Sequence, residues 1–427
     1  MRKQRLASAF AAPAVTVTAL LLVIGCSSSA GTGSGSKSPQ SVSIGSVLSL
    51  TGTDASAGTD VQHGEELAVQ IINGSYPQLK LPFASDRGLP ALGNAKIKLV
   101  TQDDTGSPQT AATAVDTLAA QDHVSAIVGG YASDVTANAS QEADRLQVPF
   151  VNGSSSADSL TSQGLKYFFR VGPEDATFAA SMFGLLKQEQ SNGHSISTIG
   201  IIHTNDTYGN GVDADTKADA KAAGLKVVAD VSYDPTTNDL SPEILQLKSK
   251  NPDVLFDSSY TSDAFLLVRG MNTLHWHPQA LLAYGAGFSD PTFLPTLKSA
   301  ANGVMSRAAW SDELPNSTSQ AVAKMFQQQY HLPMTENSVR GFESVMAVAV
   351  AINNAKSTSP SAVESALQKI NIPAGQLIAP WSGIKFNSDG QNVDASGIVQ
   401  QVQDGTYKVV FPPQDAVAKV AWPMTSS

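Results

Sequence analysis

The chain has one cysteine in 427 residues and only 15% charged residues, and both shortages exclude classes of protein. A single cysteine cannot build a disulfide framework, a cysteine-rich zinc site or an iron–sulfur cluster. Lys and Arg number 27 against 37 Asp and Glu, so the formal net charge is −10. Nucleic-acid binding needs a dense basic surface, so no nucleic-acid partner is expected. The hydrophobic fraction of 42% is that of a globular protein of two or three domains.

Motifs of common enzymes are also missing from the sequence. It contains no Gly-x-Ser-x-Gly elbow, no Gly-Lys-Ser/Thr phosphate loop and no Gly-x-Gly-x-x-Gly fingerprint after a strand. His275-Trp276-His277 offers two metal ligands without a third, so a surface loop is the preferred interpretation. Asp103 and Asp104 are consecutive on a predicted strand and would point to opposite faces rather than form an acid pair. We therefore predict no catalytic residue, no cofactor and no metal site.

The first residues of the chain carry targeting information rather than fold. A basic start at residues 2–5 precedes an apolar run from Ala7 to Ile24, which ends in Gly25-Cys26. A positive start, an apolar segment and a small residue before the cut are the marks of a secretory signal. The ending is similar to a bacterial lipobox, in which the cysteine is acylated and becomes the first mature residue. We predict a lipoprotein signal peptide at 1–25 and lipidation of Cys26; the alternative is an uncleaved membrane anchor, although the run is short for a full span.

Residues 26–41 are almost wholly Ser, Gly, Ala and Thr, which predicts a flexible tether. Cleavage before Cys26 would remove three positive charges and no acid, which would shift the net charge from −10 to −13. No second apolar run in the sequence approaches membrane-spanning length. The mature protein is therefore expected to be an acidic domain held by its lipid at the extracytoplasmic face of the membrane, in the periplasm or at the cell surface.

The body of the chain alternates predicted strands and helices in two runs. The first run has strands at 42–48, 97–100, 124–128, 148–151 and 167–170, with helices at 64–72, 108–120 and 133–146 between them. A second run of the same kind extends from a helix at 177–190 to a strand at 280–283, followed by helices at 320–330 and 338–353. This order predicts an α/β fold of two Rossmann-like, doubly wound lobes. The tail at 383–411 is expected to form short antiparallel strands.

Ligands of such sheets bind outside the carboxyl ends of the strands, so we sought candidate site residues there. The segment Gly129–Ser133 joins a buried strand to a helix and contains Tyr131 and Ala132. The free N–H groups at that helix start would attract a carboxylate, with plain capping by Ser133 as the alternative. The segment Val151–Ser156 follows the next strand, and its hydroxyls at Ser154, Ser155 and Ser156 suit a zwitterion or an amide; a serine-rich connector is the alternative.

Two more candidates lie in the second run. The segment Ile201–Gly211 is its first strand-to-helix turn, where Tyr208 would close the far side of the cleft and His203 is expected to be structural. The segment Tyr284–Phe288 also follows a strand, and its small residues permit close approach of a ligand.

Several separated segments resemble the type I periplasmic binding proteins of the leucine/isoleucine/valine-binding family, the substrate-binding components of ABC importers. The resemblance is carried by 49–58, 64–73, 103–111 and 203–211, and it extends from Val42 to beyond Phe386. It implies two lobes joined by three crossing segments that close on a ligand like a hinge. Lobe 1 would comprise 42–171 and 311–379, and lobe 2 would comprise 172–310 and 380–427.

The same resemblance implies roles for individual residues. Ser133 would bind the ligand carboxylate, the backbone carbonyl of Ser154 would accept from an ammonium group, and Ser156 would contact both. Tyr208 and Tyr260 would be the aromatic residues of the cleft on the second lobe.

Ala286 departs from the family pattern, because amino-acid binders of the family have a Glu there that neutralises the ammonium. A buried ammonium without a carboxylate is costly. Amides, urea-like compounds and carboxylic acids without an amine are therefore expected alongside branched-chain amino acids, unless an Asp such as Asp206, Asp263 or Asp290 replaces the Glu.

The function expected is capture of a small polar ligand by a monomeric, membrane-tethered protein that delivers it to an ABC permease. A ligand sensor of the same fold that reports to a signalling partner is the alternative, and a secreted hydrolase is a more distant one. The Pro- and Gly-rich stretch 75–94 receives no functional interpretation.

Overall fold

Two β-sheets organise residues 40–424, the part of the chain that the computed structural model describes. The first sheet has five strands: β1 (Ser41–Leu48), β2 (Lys96–Asp103), β3 (Ile127–Gly129), β4 (Phe150–Asn152) and β5 (Phe168–Arg170). Their order across the sheet is β2-β1-β3-β4-β5, and every pairing is parallel. The predicted parallel sheet of the first run is confirmed.

The second sheet combines parallel and antiparallel strands. Its parallel part consists of β6 (Thr198–Thr204), β7 (Lys226–Tyr233), β8 (Val254–Ser258), β9 (Ala280–Ala283) and β10 (Met305–Ala308). A two-residue pair, β11 (Ile372–Pro373) and β12 (Gly383–Ile384), stands apart from it. The last strands, β13 (Ile398–Gln403) and β14 (Thr406–Phe411), add antiparallel to β10 and give the order β14-β13-β10-β9-β8-β6-β7. The antiparallel tail was predicted from its alternating pattern.

Eleven α-helices are found in the described part of the chain. They are α1 (Ala55–Asn73), α2 (Pro108–Ala120), α3 (Ser133–Arg145), α4 (Asp175–Ser191), α5 (Thr207–Ala223), α6 (Ser241–Lys250), α7 (Thr261–Thr273), α8 (Phe293–Leu297), α9 (Ser317–Tyr330), α10 (Glu336–Ala355) and α11 (Pro360–Leu367). None of the helices within 40–424 is both long and apolar enough to cross a membrane.

Local signals in the sequence explain where these helices begin and end. Helix α2 starts at Pro108 behind Ser107, whose side chain accepts from the N–H of Thr110. Helix α5 starts behind Asp206, whose carboxylate accepts from the N–H of Gly209 at 2.8 Å, and it ends at Gly224 in a left-handed conformation. Because such caps depend on neighbouring residues alone, the predicted bounds of α2 agree with the structure.

The chain passes three times between the two sheets. It leaves the first sheet after β5, returns after β10 to place α10 against β3 and β4, and leaves again to add β13 and β14 to the second sheet. Arg170 holds the first and third passages together, because its buried guanidinium donates to Gln391 at 2.6 Å and to the carbonyl of Ala157 at 2.7 Å. The adjacent backbones also pair, with the N–H of Asn392 donating to the carbonyl of Arg170 at 2.9 Å.

The stretch 75–94 has a packing role that the sequence did not suggest. Leu79, Leu81 and Leu89 are buried in the same hydrophobic cluster as Ile71 of α1. The stretch therefore covers apolar surface that α1 would otherwise expose to water.

The predicted signal peptide at 1–25, Cys26 and the tether up to residue 39 lie outside the described residues. Strand β1 already begins at Ser41, which the sequence division had placed in the tether. The first residue of this strand, Ser41, is exposed and is a serine like several residues of the preceding segment, so the sequence did not mark where the tether ends and the strand begins.

Helices α1 and α10 cross at unusually close range, and glycines make this possible. A Cβ atom at Gly64 would lie 1.8 Å from the carbonyl oxygen of Ser338, and one at Gly341 would lie 2.7 Å from that of Val61. Gly64→Ala should therefore destabilise the protein by about 1–3 kcal/mol or more through overpacking, as measured by denaturant unfolding.

Gly211→Ala is the matched control for that substitution. Gly211 is also helical, and the nearest atom to its Cβ would be 3.9 Å away, so we expect no loss of stability and a gain of up to about 1 kcal/mol. Equal stabilities of the two variants would contradict the close helix crossing.

Candidate functional site between the two sheets

A small cavity lies where the carboxyl ends of strands from both sheets meet. It is lined by Tyr131, Ser133, Ser154, Ser155, Ser156, Tyr208, Tyr260, Ala286, Arg307 and Arg340. Eight of the nine ligand-binding residues predicted from the sequence are among them, and Ala132 is not. The structure thus brings the two serine segments and the two tyrosine-bearing turns of the second sheet to one place.

The turn from β3 to α3 supplies Tyr131 and Ser133. Gly129 has φ of 114°, and a Cβ there would lie 2.2 Å from the carbonyl oxygen of Val47, so only glycine lets this turn approach β1. The N-cap of α3 is Ala132 and Ser133 is the first helical residue, one position later than the capping interpretation expected. The Ser133 hydroxyl therefore does not cap the helix. It accepts a long hydrogen bond, 3.5 Å, from the N–H of Ala157.

The three serines after β4 differ in how far the protein already uses their hydroxyls. Ser155 bonds to Thr136 at 2.6 Å and donates to the carbonyl of Tyr131 at 3.0 Å, so its hydroxyl ties the two turns together. The buried hydroxyl of Ser154 has no hydrogen-bond partner among residues 40–424. Ser156 is held through its backbone instead, because its carbonyl accepts from the N–H of Asp175 at 2.9 Å. Ser154 thus offers the hydroxyl that a ligand would find unoccupied.

Three tyrosines form an aromatic wall across the gap between the sheets. Tyr260 lies between the other two, with ring centroids 6.0 Å from Tyr131 and 5.5 Å from Tyr208. The hydroxyls of Tyr131 and Tyr260 are buried and find no partner in the part of the chain that the structure describes, whereas the Tyr208 hydroxyl donates to the carbonyl of Tyr284 at 2.8 Å. Tyr208 therefore presents its ring rather than its hydroxyl to the cavity.

Sequence reasoning missed the two arginines of the site. Arg307 on β10 and Arg340 on α10 are 2% and 1% exposed, and both contact Glu336 in the first turn of α10. Arg307 Nη1 lies 2.7 Å from Glu336 Oε1, and Arg340 Nη2 lies 3.8 Å from Glu336 Oε2. A charged residue inside the apolar helix pattern at 338–353 was the available signal for Arg340; Arg307, on a short strand, gave none.

Glu336 is held in its ionised form by these contacts. Burial alone would raise its pKa, but Arg307, Arg340, the Ser289 hydroxyl and the N–H of Ala309 together hold the pKa of Glu336 below its usual range. A carboxylate in the first turn of a helix is further stabilised by the helix dipole.

The backbone carbonyl of Ser154 is already occupied, because Arg340 Nη1 donates to it at 2.7 Å. The resemblance had implied that this carbonyl accepts from a ligand ammonium. Ala286 has φ of 47° and lies beside Gly285, where a Cβ would lie 2.5 Å from the guanidinium of Arg307. The cavity wall therefore holds an arginine side chain next to Ala286, the position where the resemblance implies a glutamate in amino-acid binders.

A second polar cluster lies beside β6, outside the cavity lining. His203, Asp213 and Asp230 offer ligand atoms close to one another. Lys217 forms ion pairs with both carboxylates, and His203 bonds to the carbonyl of Thr204 at 3.0 Å. The lysine ammonium occupies the place that a cation would take, so the cluster is a salt-bridge network and His203 has the structural environment expected of it.

Comparison with known proteins gives a family match over most of the chain. The family model described as "Periplasmic binding protein" matches residues 41–406. The Leu/Ile/Val-binding protein homolog 8 of Brucella abortus is 28% identical over 389 residues, which cover 89% of this chain and 92% of that protein.

Two solved structures show the same fold at low sequence identity. The branched-chain amino acid transporter substrate-binding protein LivJ of Streptococcus pneumoniae, in complex with isoleucine, has a TM-score of 0.74 at 20% identity and covers 87% of this chain and all of that one. A solute-binding protein of an ABC transporter from R. palustris, in complex with benzoate, has a TM-score of 0.74 at 16% identity and covers 91% of this chain and 98% of that one.

The contacts of Glu336 predict a large effect when its charge is removed. Glu336→Gln leaves two buried guanidiniums without their anion, so we expect a loss of about 3–5 kcal/mol of unfolding free energy at pH 7. Because the folded-state pKa of Glu336 is lowered, its contribution exists above the unfolded pKa near 4.5 and disappears as pH falls through the folded value. The difference between wild type and variant in denaturant unfolding should therefore shrink below about pH 4.5.

Glu313→Gln is the control, because Glu313 pairs with Lys408 and both side chains are about one-third exposed. Its loss should be below about 1 kcal/mol. A loss for Glu336→Gln no larger than that of the control would contradict the role of Glu336 as the counter-charge of the two buried arginines.

Proposed function

The chain belongs to the periplasmic binding protein family, and from that premise we propose that it is a lipid-anchored solute-binding protein that delivers a small polar ligand to an ABC importer. The family and the compared structures are solute-binding proteins rather than enzymes. The observation that carries the proposal is a cavity built from the carboxyl ends of strands in both sheets. Ser133, Ser154 and Ser156 would contact the ligand from the first sheet, and Tyr208, Tyr260 and Ala286 from the second.

Closure of two lobes is the proposed mechanism. Each sheet would be the core of one lobe, with 42–171 and 311–379 in lobe 1 and 172–310 and 380–427 in lobe 2. Between the facing turns, the Ser56 hydroxyl donates to Asp290 at 3.1 Å and Tyr131 stacks obliquely on Tyr260, and both contacts are separable. The buried pair of Glu336 and Arg307 also joins the two lobes, but it lies beside the second passage of the chain, where it would persist during closure. The three passages of the chain, of which Arg170 and Gln391 tie the first to the third, would act as the hinge. A ligand that contacts both lobes stabilises the closed form, whose surface a permease can distinguish from that of the open form.

The ligands of the relatives support a range of compounds rather than one. The Brucella relative is named for leucine, isoleucine and valine, the S. pneumoniae protein holds isoleucine, and the R. palustris protein holds benzoate. Both structures match this chain with a TM-score of 0.74, so the fold does not select between an amino acid and an aromatic acid. Selection must come from the side chains of the cavity.

Ser133→Ala tests the site. The hydroxyl has one long bond to the protein, so its loss should leave unfolding of the ligand-free protein nearly unchanged. Loss of one hydrogen bond to a charged ligand group should weaken binding by about 1.5–3 kcal/mol, or roughly tenfold or more. The measurement is calorimetry with a ligand first found by thermal shift.

Ser162→Ala serves as the matched control, since Ser162 is a serine whose hydroxyl bonds locally to the carbonyl of Ser159. Unchanged affinity in Ser133→Ala would place the ligand elsewhere.

Cys26→Ser tests the anchor. Expressed in a bacterial host, the wild type should carry acyl chains by mass spectrometry and partition into the detergent phase of a Triton X-114 separation, because two or more acyl chains anchor a protein stably. The variant should lack the acyl mass and move to the aqueous phase. Ser27→Ala, the neighbouring substitution, should behave as wild type. A Cys26→Ser protein that stays in the membrane with its N-terminus intact would favour the uncleaved-anchor alternative.

A further inference from the structure

We propose that the ligand is a small organic acid without an α-ammonium group, and that Arg307 and Arg340 supply the positive charge that selects its carboxylate. This inference rests on the proposed solute-binding function and specifies its substrate class. It is drawn from the charge balance and the unpaired donors of the cavity.

The cavity has an excess of positive charge. Two guanidiniums line it, and no carboxylate is among its lining residues. Within residues 40–424, Glu336 is the one carboxylate that forms an ion pair with either of these arginines. The nearby carboxylates Asp54, Asp175 and Asp290 form no such pair; Asp290 instead accepts from hydroxyls including that of Thr261. Glu336 can match the charge of one guanidinium, and Asp175 attracts Arg307 only from beyond ion-pair distance. A further anion in the cavity would therefore be stabilised by both arginines.

The lining also contains several hydrogen-bond donors that the protein leaves unused. In the described part of the chain, no partner is found for Nε of Arg307, Nε of Arg340 or the hydroxyls of Ser154, Tyr131 and Tyr260, all of which are buried. A buried donor without an acceptor is costly. A carboxylate is an acceptor with two oxygens and about four lone-pair sites, so one such group can satisfy several of these donors at once.

An ammonium group has no charged partner in the same cavity. The carbonyl of Ser154 accepts from Arg340, and Ala286 contributes only a methyl group. The lining hydroxyls can accept a hydrogen bond but carry no charge. An α-amino acid would therefore bury a third cation beside two guanidiniums, which is unfavourable without a counter-charge.

The aromatic residues of the lining indicate what kind of body the acid has. The rings of Tyr131, Tyr208 and Tyr260 provide an apolar wall. A monoacid whose body is apolar fits this wall.

Matched sets of compounds separate the acid from the amine. Calorimetric titration of the mature protein would compare 4-methylpentanoate with leucine and 4-methylpentanamide, and 3-phenylpropanoate with phenylalanine and 3-phenylpropanamide. We expect an acid to bind at least tenfold more tightly than its α-amino or amide partner. An amino acid or amide that binds as tightly as its acid would overturn the inference.

Failure of the inference and failure of the proposed function give different results. If none of these acids binds but another solute, such as a sugar or a polyamine, stabilises the protein and loses affinity in Ser133→Ala, the inference is wrong and the solute-binding function stands. If no solute in a broad thermal-shift collection stabilises the protein, both are wrong.

Variants of the unpaired hydroxyls test the assignment without endangering the fold. Tyr131→Phe, Tyr260→Phe and Ser154→Ala remove donors that have no partner, so the melting temperature of the ligand-free protein should stay unchanged or rise. Affinity for the acid should fall at least fivefold in one or more of them.

Arg340→Lys keeps the positive charge but loses the planar fork of the guanidinium. If the variant folds, its affinity for the acid should fall at least tenfold.

Tyr407→Phe is the matched control, because the Tyr407 hydroxyl donates to the carbonyl of Phe288 at 2.6 Å and is not in the lining. This variant should melt earlier and bind the acid as wild type does. Retention of full acid affinity in all three hydroxyl variants would contradict the assignment.

Discussion

The salt bridge of Glu336 with Arg307 and Arg340 is the interaction on which the arrangement of the cavity depends. It joins β10 of the second sheet to α10, which packs on the first, and Ser289 and the N–H of Ala309 complete the coordination of the carboxylate. Three buried charges persist together only because each has partners in fixed positions. The same contacts fix where the two guanidiniums stand, and so they set both the junction between the sheets and the charge of the cavity.

The geometry of parallel sheets explains why the cavity lies where it does. Turns that follow parallel strands collect at one edge of the sheet, and here two such edges face each other. Glycine at position 129 removes the side chain that would keep the turn away from β1. Serine hydroxyls and tyrosine rings from opposite edges therefore line the same cavity.

Features that depend on neighbouring residues were predictable. The order of strands and helices, the limits of α2 and the antiparallel tail follow from periodicity and caps. The placement of Tyr131, Ser133 and the serines after β4 also followed, because strand ends of one sheet are adjacent by topology. The packing role of 75–94 was not predictable, since its buried leucines show no periodicity and their function depends on contact with α1, which no local pattern indicates.

The sequence by itself determined the α/β class, the turns that line the cavity and the absence of glutamate at position 286. Only the tertiary structure decided which charged side chains lie beside Ala286 in the cavity. Arg307 and Arg340 are 33 positions apart in the sequence. Arg307 lies on a strand of the second sheet and Arg340 on a helix that packs against the first sheet, and no local sequence pattern connects them. Their meeting at Glu336 and the occupation of the Ser154 carbonyl arise from long-range packing, which fixes distances that spacing along the chain does not encode.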